Sequence, residues 1–173
     1  MRNVMVDLET LDKTATSVIV SVGAVKFDAS GISENTFYQV VDIQSCIDLG
    51  LTISGDTIAW WMGQSEQARA VFQASGDPLA KVLIEFGEWL PEGAKVWGNG
   101  ASFDNAILAN AYGVLKVPQP WDFWNDRCFR TVAAFAPAKK VNKGIAHNAL
   151  DDARSQADHL IKIAPWACGG GQL

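Results

Sequence analysis

Cysteine, histidine and positive charge are all scarce in this chain of 173 residues. Its three cysteines, Cys46, Cys128 and Cys168, are odd in number and widely separated, with no Cys-x-x-Cys pair among them. Neither zinc nor dithiol chemistry is suggested, and free thiols in a reducing compartment are expected. No apolar run approaches the roughly 18 residues of a membrane span. The first residues also lack the basic and apolar regions of a signal peptide, so a cytoplasmic protein with no membrane partner is expected. Lys and Arg number 14 against 19 Asp and Glu, a net charge of −5. That balance argues against coating nucleic acid through a broad basic surface, while leaving room for a protein that grips one strand end.

What is present is apolar: 49% of the residues are hydrophobic, enough for one good core and marginal for two. A single domain over residues 1–165 is expected, with the Gly-rich segment 166–173 as a flexible tail. Val- and Ile-rich stretches at 3–8, 17–27 and 36–41, separated by turn residues around Gly31, read as an antiparallel three-strand meander. Helices follow, one capped by Asp56 and running to about residue 74, another from Asp77-Pro78 to Trp89. A fourth strand is expected at 94–97, then a helix over 103–112 ended by Gly113, an irregular loop over 118–124, a helix over 129–135 and a last helix over 149–164. The order implies an α/β fold, a mixed sheet covered by helices.

Three acidic motifs stand at junctions of these elements. In Val4-Met5-Val6-Asp7-Leu8-Glu9-Thr10 the two carboxylates lie two apart at a strand end, so both project on one face. Paired anions at a core edge repel and are costly to desolvate, which calls for a positive partner. Further acids follow in Asn99-Gly100-Ala101-Ser102-Phe103-Asp104 and in His147-Asn148-Ala149-Leu150-Asp151-Asp152.

The ordered set Asp7-x-Glu9, Asn99-x-x-x-Phe103-Asp104 and His147-x-x-x-x-Asp152 resembles the DEDDh family of 3'-to-5' exonucleases across nearly the whole chain. Thr57-Ile58-Ala59-Trp60-Trp61 and Arg127-Cys128-Phe129-Arg130-Thr131 are similar to its small phage- and prophage-borne branch, related to exodeoxyribonuclease VIII and to exoribonucleases. The resemblance implies a ribonuclease H-like fold. It also implies removal of nucleoside 5'-monophosphates from the 3' ends of single-stranded DNA or RNA. Asp7, Glu9, Asp104 and Asp152 would ligate two divalent cations about 4 Å apart, and His147 would act as the general base. Oxygen ligands without sulfur suit Mg2+ or Mn2+, and an imidazole ordinarily titrates near neutrality. Both Asp151 and Asp152 border the buried face of the last helix, and the family spacing from His147 selects Asp152. His159, with no partner acid in the pattern, reads as structural.

The resemblance also assigns Thr10 to a terminal 3'-hydroxyl. Trp61 and Phe103 are expected to stack on bases, Trp60 to pack in the core, and Asn99 to hold the turn before Asp104. Lys139, Lys140 and Lys143 stand between two readings, phosphate contact and a solvated loop. Two rival functions stay open: a ribonuclease H-like endonuclease, and a non-catalytic module binding strand ends. A homodimer is also left open.

Overall fold

The first strand of the computed structural model, β1 (Asn3–Thr10), is apolar on both faces, and that alternation separates two cores. The structure describes residues 1–136 and 138–169. Val4, Val6 and Leu8 enter the larger core, whereas Met5 enters a second on the opposite face. Asp7 and Glu9 continue the Met5 row toward the C-terminal end of the strand.

β1 pairs antiparallel with β2 (Ile19–Asp28), which pairs antiparallel with β3 (Gly31–Val40), so the expected meander is present. On its other side β1 pairs in parallel with β4 (Lys95–Gly98), and β4 with β5 (Asp126–Cys128), giving one sheet of order β3-β2-β1-β4-β5. The parallel strands β1 and β4 therefore end side by side, where open α/β sheets place their ligands.

On the Val4 face lie α2 (Gly55–Met62), α3 (Glu66–Arg69), α4 (Leu79–Trp89) and α5 (Asp104–Leu115), contributing Trp61, Ala68, Phe86 and Leu108 to the larger core. A short α1 (Ile43–Asp48), capped by the Asp42 carboxylate accepting from the Gln44 amide, precedes them. On the Met5 face lie α6 (Phe129–Ala134) and α7 (Ala149–Ile163). Ala149, Ala153 and Ala157 at helical spacing seat α7 on β1 and β2. Opposite Asp7 in the register stands Gly23, where an added Cβ would lie 2.2 Å from the Ala149 carbonyl carbon. Only glycine lets the start of α7 descend onto the acid row at this point.

Several boundaries differ from expectation. The helix foreseen from Asp56 to residue 74 is broken: α2 stops at Met62, Ser65 caps α3 by accepting from the Ala68 amide, and a 3-10 turn over Ala70–Gln73 follows. Ser54, not Asp56, precedes the first turn. Gly113 does not end α5, which continues to Leu115 and closes on Lys116 in the left-handed region at φ 56°. The segment expected to be a free tail opens with α8 (Pro165–Cys168), tied down by the Asn3 side-chain amide donating to the Cys168 carbonyl at 3.1 Å, and residues 170–173 lie outside the described residues. All three cysteines are free. Among the described residues, no helix is long and apolar enough to cross a membrane.

Candidate active site

Three elements bring four acids to one place. β1 supplies Asp7 and Glu9, the first residue of α5 supplies Asp104, and the first turn of α7 supplies Asp152. Asp7, Glu9, Asp152 and His147 line a cleft of about 300 Å³ together with Asn99, Lys140 and Gln156, and Asp104 lies behind this lining, close enough for its charge to act on Asp7 and Glu9. Ligand atoms of Glu9, His147 and Asp152 lie within 4.8 Å of one another. Asp7, Glu9, Asp104 and Asp152 thus form one electrostatic cluster, whereas Asp151 stands outside it.

The cluster is electrostatically uncomfortable. Burial, reinforced by the charges of Asp104, Glu9 and Asp152, holds the Asp7 carboxyl well above the usual range. Loss of solvation, with Asp152 and Asp104 nearby, pushes Glu9 up to about 8. Asp104, 2% exposed, is lifted by burial to about 6, with amide donors opposing the rise. Two of those donors are the Leu8 amide at 3.2 Å and the Gly100 amide at 3.5 Å. The cationic relief on view is slight: Lys140 Nζ lies 3.8 Å from Asp152 Oδ1. Carboxylates crowded in this way, rich in oxygen and poor in positive charge, fit divalent cations, whose charge would reverse each of these shifts.

Gln156 is the residue that sequence reading missed. It is fully buried, one turn beyond Asp152 on the same face of α7, and its amide donates to Asp7 Oδ1 at 2.7 Å. A glutamine inside an alanine-lined buried stripe was the available signal. His147 sits at φ 63°, its amide donating to Asp152 Oδ2 at 3.0 Å. The edge-to-face contact of its ring with Trp60, centroids 4.8 Å apart, sets the imidazole at the rim. His159, by contrast, packs edge-on to Phe129 away from the acids. Lys143 pairs with Asp158, so of the three loop lysines Lys140 is the one that lines the acid cleft.

A second cleft of about 250 Å³, lined by Thr10, Asp12, Thr57, Trp60, Trp61 and Phe103, shares Leu8 and Glu9 with the first. Here the two tryptophans are placed the opposite way from expectation. Trp61 is 1% exposed, edge-to-face with Phe72, and its indole N–H donates to the Thr10 carbonyl at 2.9 Å. Trp60, expected in the core, is 45% exposed. The buried side of α2 runs through Thr57 and Trp61, four residues apart, and the roughly 100° step per residue carries Trp60 to the rim. Phe103, just before α5, packs partly against the larger core and partly lines the cleft.

The sequence model of the 3'-5' exoribonuclease Rv2179c-like domain family matches residues 2–164. The chain belongs to this family. It is an exonuclease, a hydrolytic nuclease. It is 23% identical to an exodeoxyribonuclease of Enterobacteria phage T4, the match covering 76% of this chain and 70% of the phage protein. Among solved structures, the nuclease resembles the nuclease domain of 3'hExo, a DEDDh family member bound to rAMP, with a TM-score of 0.61 at 16% identity over 96% of this chain and 92% of that one. It also resembles Exonuclease X in complex with 5' overhanging duplex DNA, with a TM-score of 0.58 at 20% identity over 93% and 90%. Both neighbours share the mixed sheet of the ribonuclease H-like class, as the sequence led us to expect.

Proposed function

We propose that this nuclease removes nucleotides one at a time from the 3' end of single-stranded nucleic acid and releases nucleoside 5'-monophosphates. The observation that carries the reading is the junction of the two clefts at Leu8 and Glu9. A terminal nucleoside in the aromatic cleft would set its phosphate over the acids. Asp7, Glu9, Asp104 and Asp152 would hold two divalent cations, Mg2+ or Mn2+. Ions held there would supply positive charge against the developing charge of the leaving oxygen and would lower the pKa of attacking water.

The remaining chemistry belongs to the chain. Gln156 fixes the rotamer of Asp7 by its hydrogen bond, leaving the other oxygen free to ligate. His147, braced by Trp60, accepts the proton of the attacking water. The Thr10 hydroxyl donates to the Asp12 carbonyl at 2.7 Å, so its lone pairs stand ready for a terminal 3'-hydroxyl. Trp61 holds the Thr10 carbonyl and thereby the end-binding backbone. Trp60 and Phe103 offer ring surface to the last bases. Lys140, 3.8 Å from Asp152 Oδ1 at the cleft, would contact the phosphate chain.

Digestion of end-labelled DNA and RNA, single- and double-stranded, tests the reading. Mononucleotides should appear from 3' ends, a 3'-phosphate should slow the reaction sharply, and a 5' block should have little effect. Efficient cutting of closed circular single strands would instead favour an endonuclease, and tight binding without any cleavage a strand-end-binding module.

A further inference from the structure

We infer that Asp151, the acid beside the metal ligand, is a positioning residue that clasps the loop bearing His147. The inference rests on His147 being the base, as proposed above. The loop from Lys143 to His147 is laid along the first turns of α7 and gripped there at three levels. The Ser155 hydroxyl accepts from the Lys143 amide at 2.9 Å and donates to the Lys143 carbonyl at 3.3 Å. Asp151 Oδ2 accepts from the Ile145 amide at 2.9 Å, and its Oδ1 lies 3.8 Å from Arg154 Nη1. Asp152 Oδ2 accepts from the His147 amide at 3.0 Å.

The two neighbouring acids divide the work. Asp152 faces the acid cleft, whereas Asp151 is absent from its lining and turns to the loop backbone. Gly144 makes the division possible. It sits at φ 75° directly over the Asp151 carboxylate, where an added Cβ would lie 2.3 Å from Oδ2. A left-handed conformation at His147, φ 63°, follows within three residues. A non-glycine residue holds such a conformation only where its surroundings over-determine it, and the clasp supplies that restraint. Because the imidazole must meet one water at one angle, a displacement of about 1 Å can reduce turnover up to ~10²-fold.

An amide-accepting clasp and a metal ligand respond differently to Asn. Asp151→Ala should lower kcat about 10- to 100-fold with KM little changed and Mn2+ affinity, measured by calorimetry, unaltered. Asp151→Asn keeps an acceptor oxygen and should restore most of kcat. Hydrogen exchange at the Ile145 amide should be fast in the Ala variant and slow in both the Asn variant and the parent. Gly144→Ala, which leaves α7 intact, should reproduce the loss of kcat. Unchanged kcat and Ile145 protection in Asp151→Ala would overturn the inference. So would loss of Mn2+ binding in both Asp151 variants, which would make Asp151 a ligand. If no variant and no parent protein cleaves, the functional reading fails, while the exchange pattern at Ile145 still decides the clasp.

Discussion

The acid cleft and the aromatic cleft touch at Glu9 yet are built on opposite physical terms. The acid cleft gathers four carboxylates whose mutual repulsion and desolvation work against the folded chain, and its residues come from three distant parts of the sequence. The aromatic cleft is an extension of the larger core, where Trp61 contributes to stability by packing and by a hydrogen bond. The proposed chemistry thus falls where the fold is least comfortable, and the proposed end recognition where it is most secure.

The comparison breaks most visibly if a ligand is removed. Asp7→Ala or Asp104→Ala should reduce hydrolysis to background without unfolding the protein, checked by an end-label assay beside circular dichroism. Chelation of the parent protein should do the same. His147→Ala should fall less, by about 10²- to 10⁴-fold, because only proton transfer is lost. Equal activity in the ligand and base variants would show that the acids do not organise the reaction.

In the second cleft stability should move instead. Trp61→Ala empties a buried site and should destabilise by about 3–5 kcal/mol in denaturant unfolding. Trp60→Ala should leave stability nearly unchanged and weaken strand binding by about 1–3 kcal/mol if its exposed ring stacks on a base. The reverse assignment in fluorescence-monitored unfolding and binding would restore the expectation drawn from sequence.

The smallest effect is a shift of stability with pH. Glu9, raised to about 8, and Asp7, raised well above its usual range, hold protons in the folded chain that the unfolded chain releases at lower pH. Their contribution is fully present below the ordinary carboxylate range and is lost as pH rises toward about 8. The chelated protein should therefore melt earlier at pH 8 than at pH 5, and Glu9→Gln should flatten that slope while abolishing hydrolysis. A Tm of the chelated parent that rises over this interval would contradict the crowding of the acids.

Much of this was legible from residues alone. The period of a strand places Asp7 and Glu9 on one face wherever the strand lies, and that they end a buried run was visible in Val4, Met5 and Val6. The choice of Asp152 over Asp151 needed the family spacing, and the structure gives it a reason in the loop that Asp151 clasps. Gly23 was missed because it looks ordinary in its strand, and Gln156 because its place in the alanine stripe marks it as unusual without naming a partner. Their roles appear only when α7 meets β1 and β2, Gly23 by the space it leaves and Gln156 by its partner Asp7. The tryptophans were exchanged because adjacent aromatics on a helix show no preference until one knows which side of α2 is covered. The three-residue β5 lacks the length for a periodic signal and is defined by its pairing with β4.

Calorimetric titration of Mn2+ into the chelated protein at pH 7, repeated in two buffers of different ionisation enthalpy, tests the central claim that the acid cleft is a divalent-cation site. Binding should occur with net release of protons, because Glu9 lies at about 8 and Asp7 is also raised before the ion enters. Asp104→Ala should abolish it. An absence of binding, or equal binding by Asp104→Ala with no proton release, would contradict the claim.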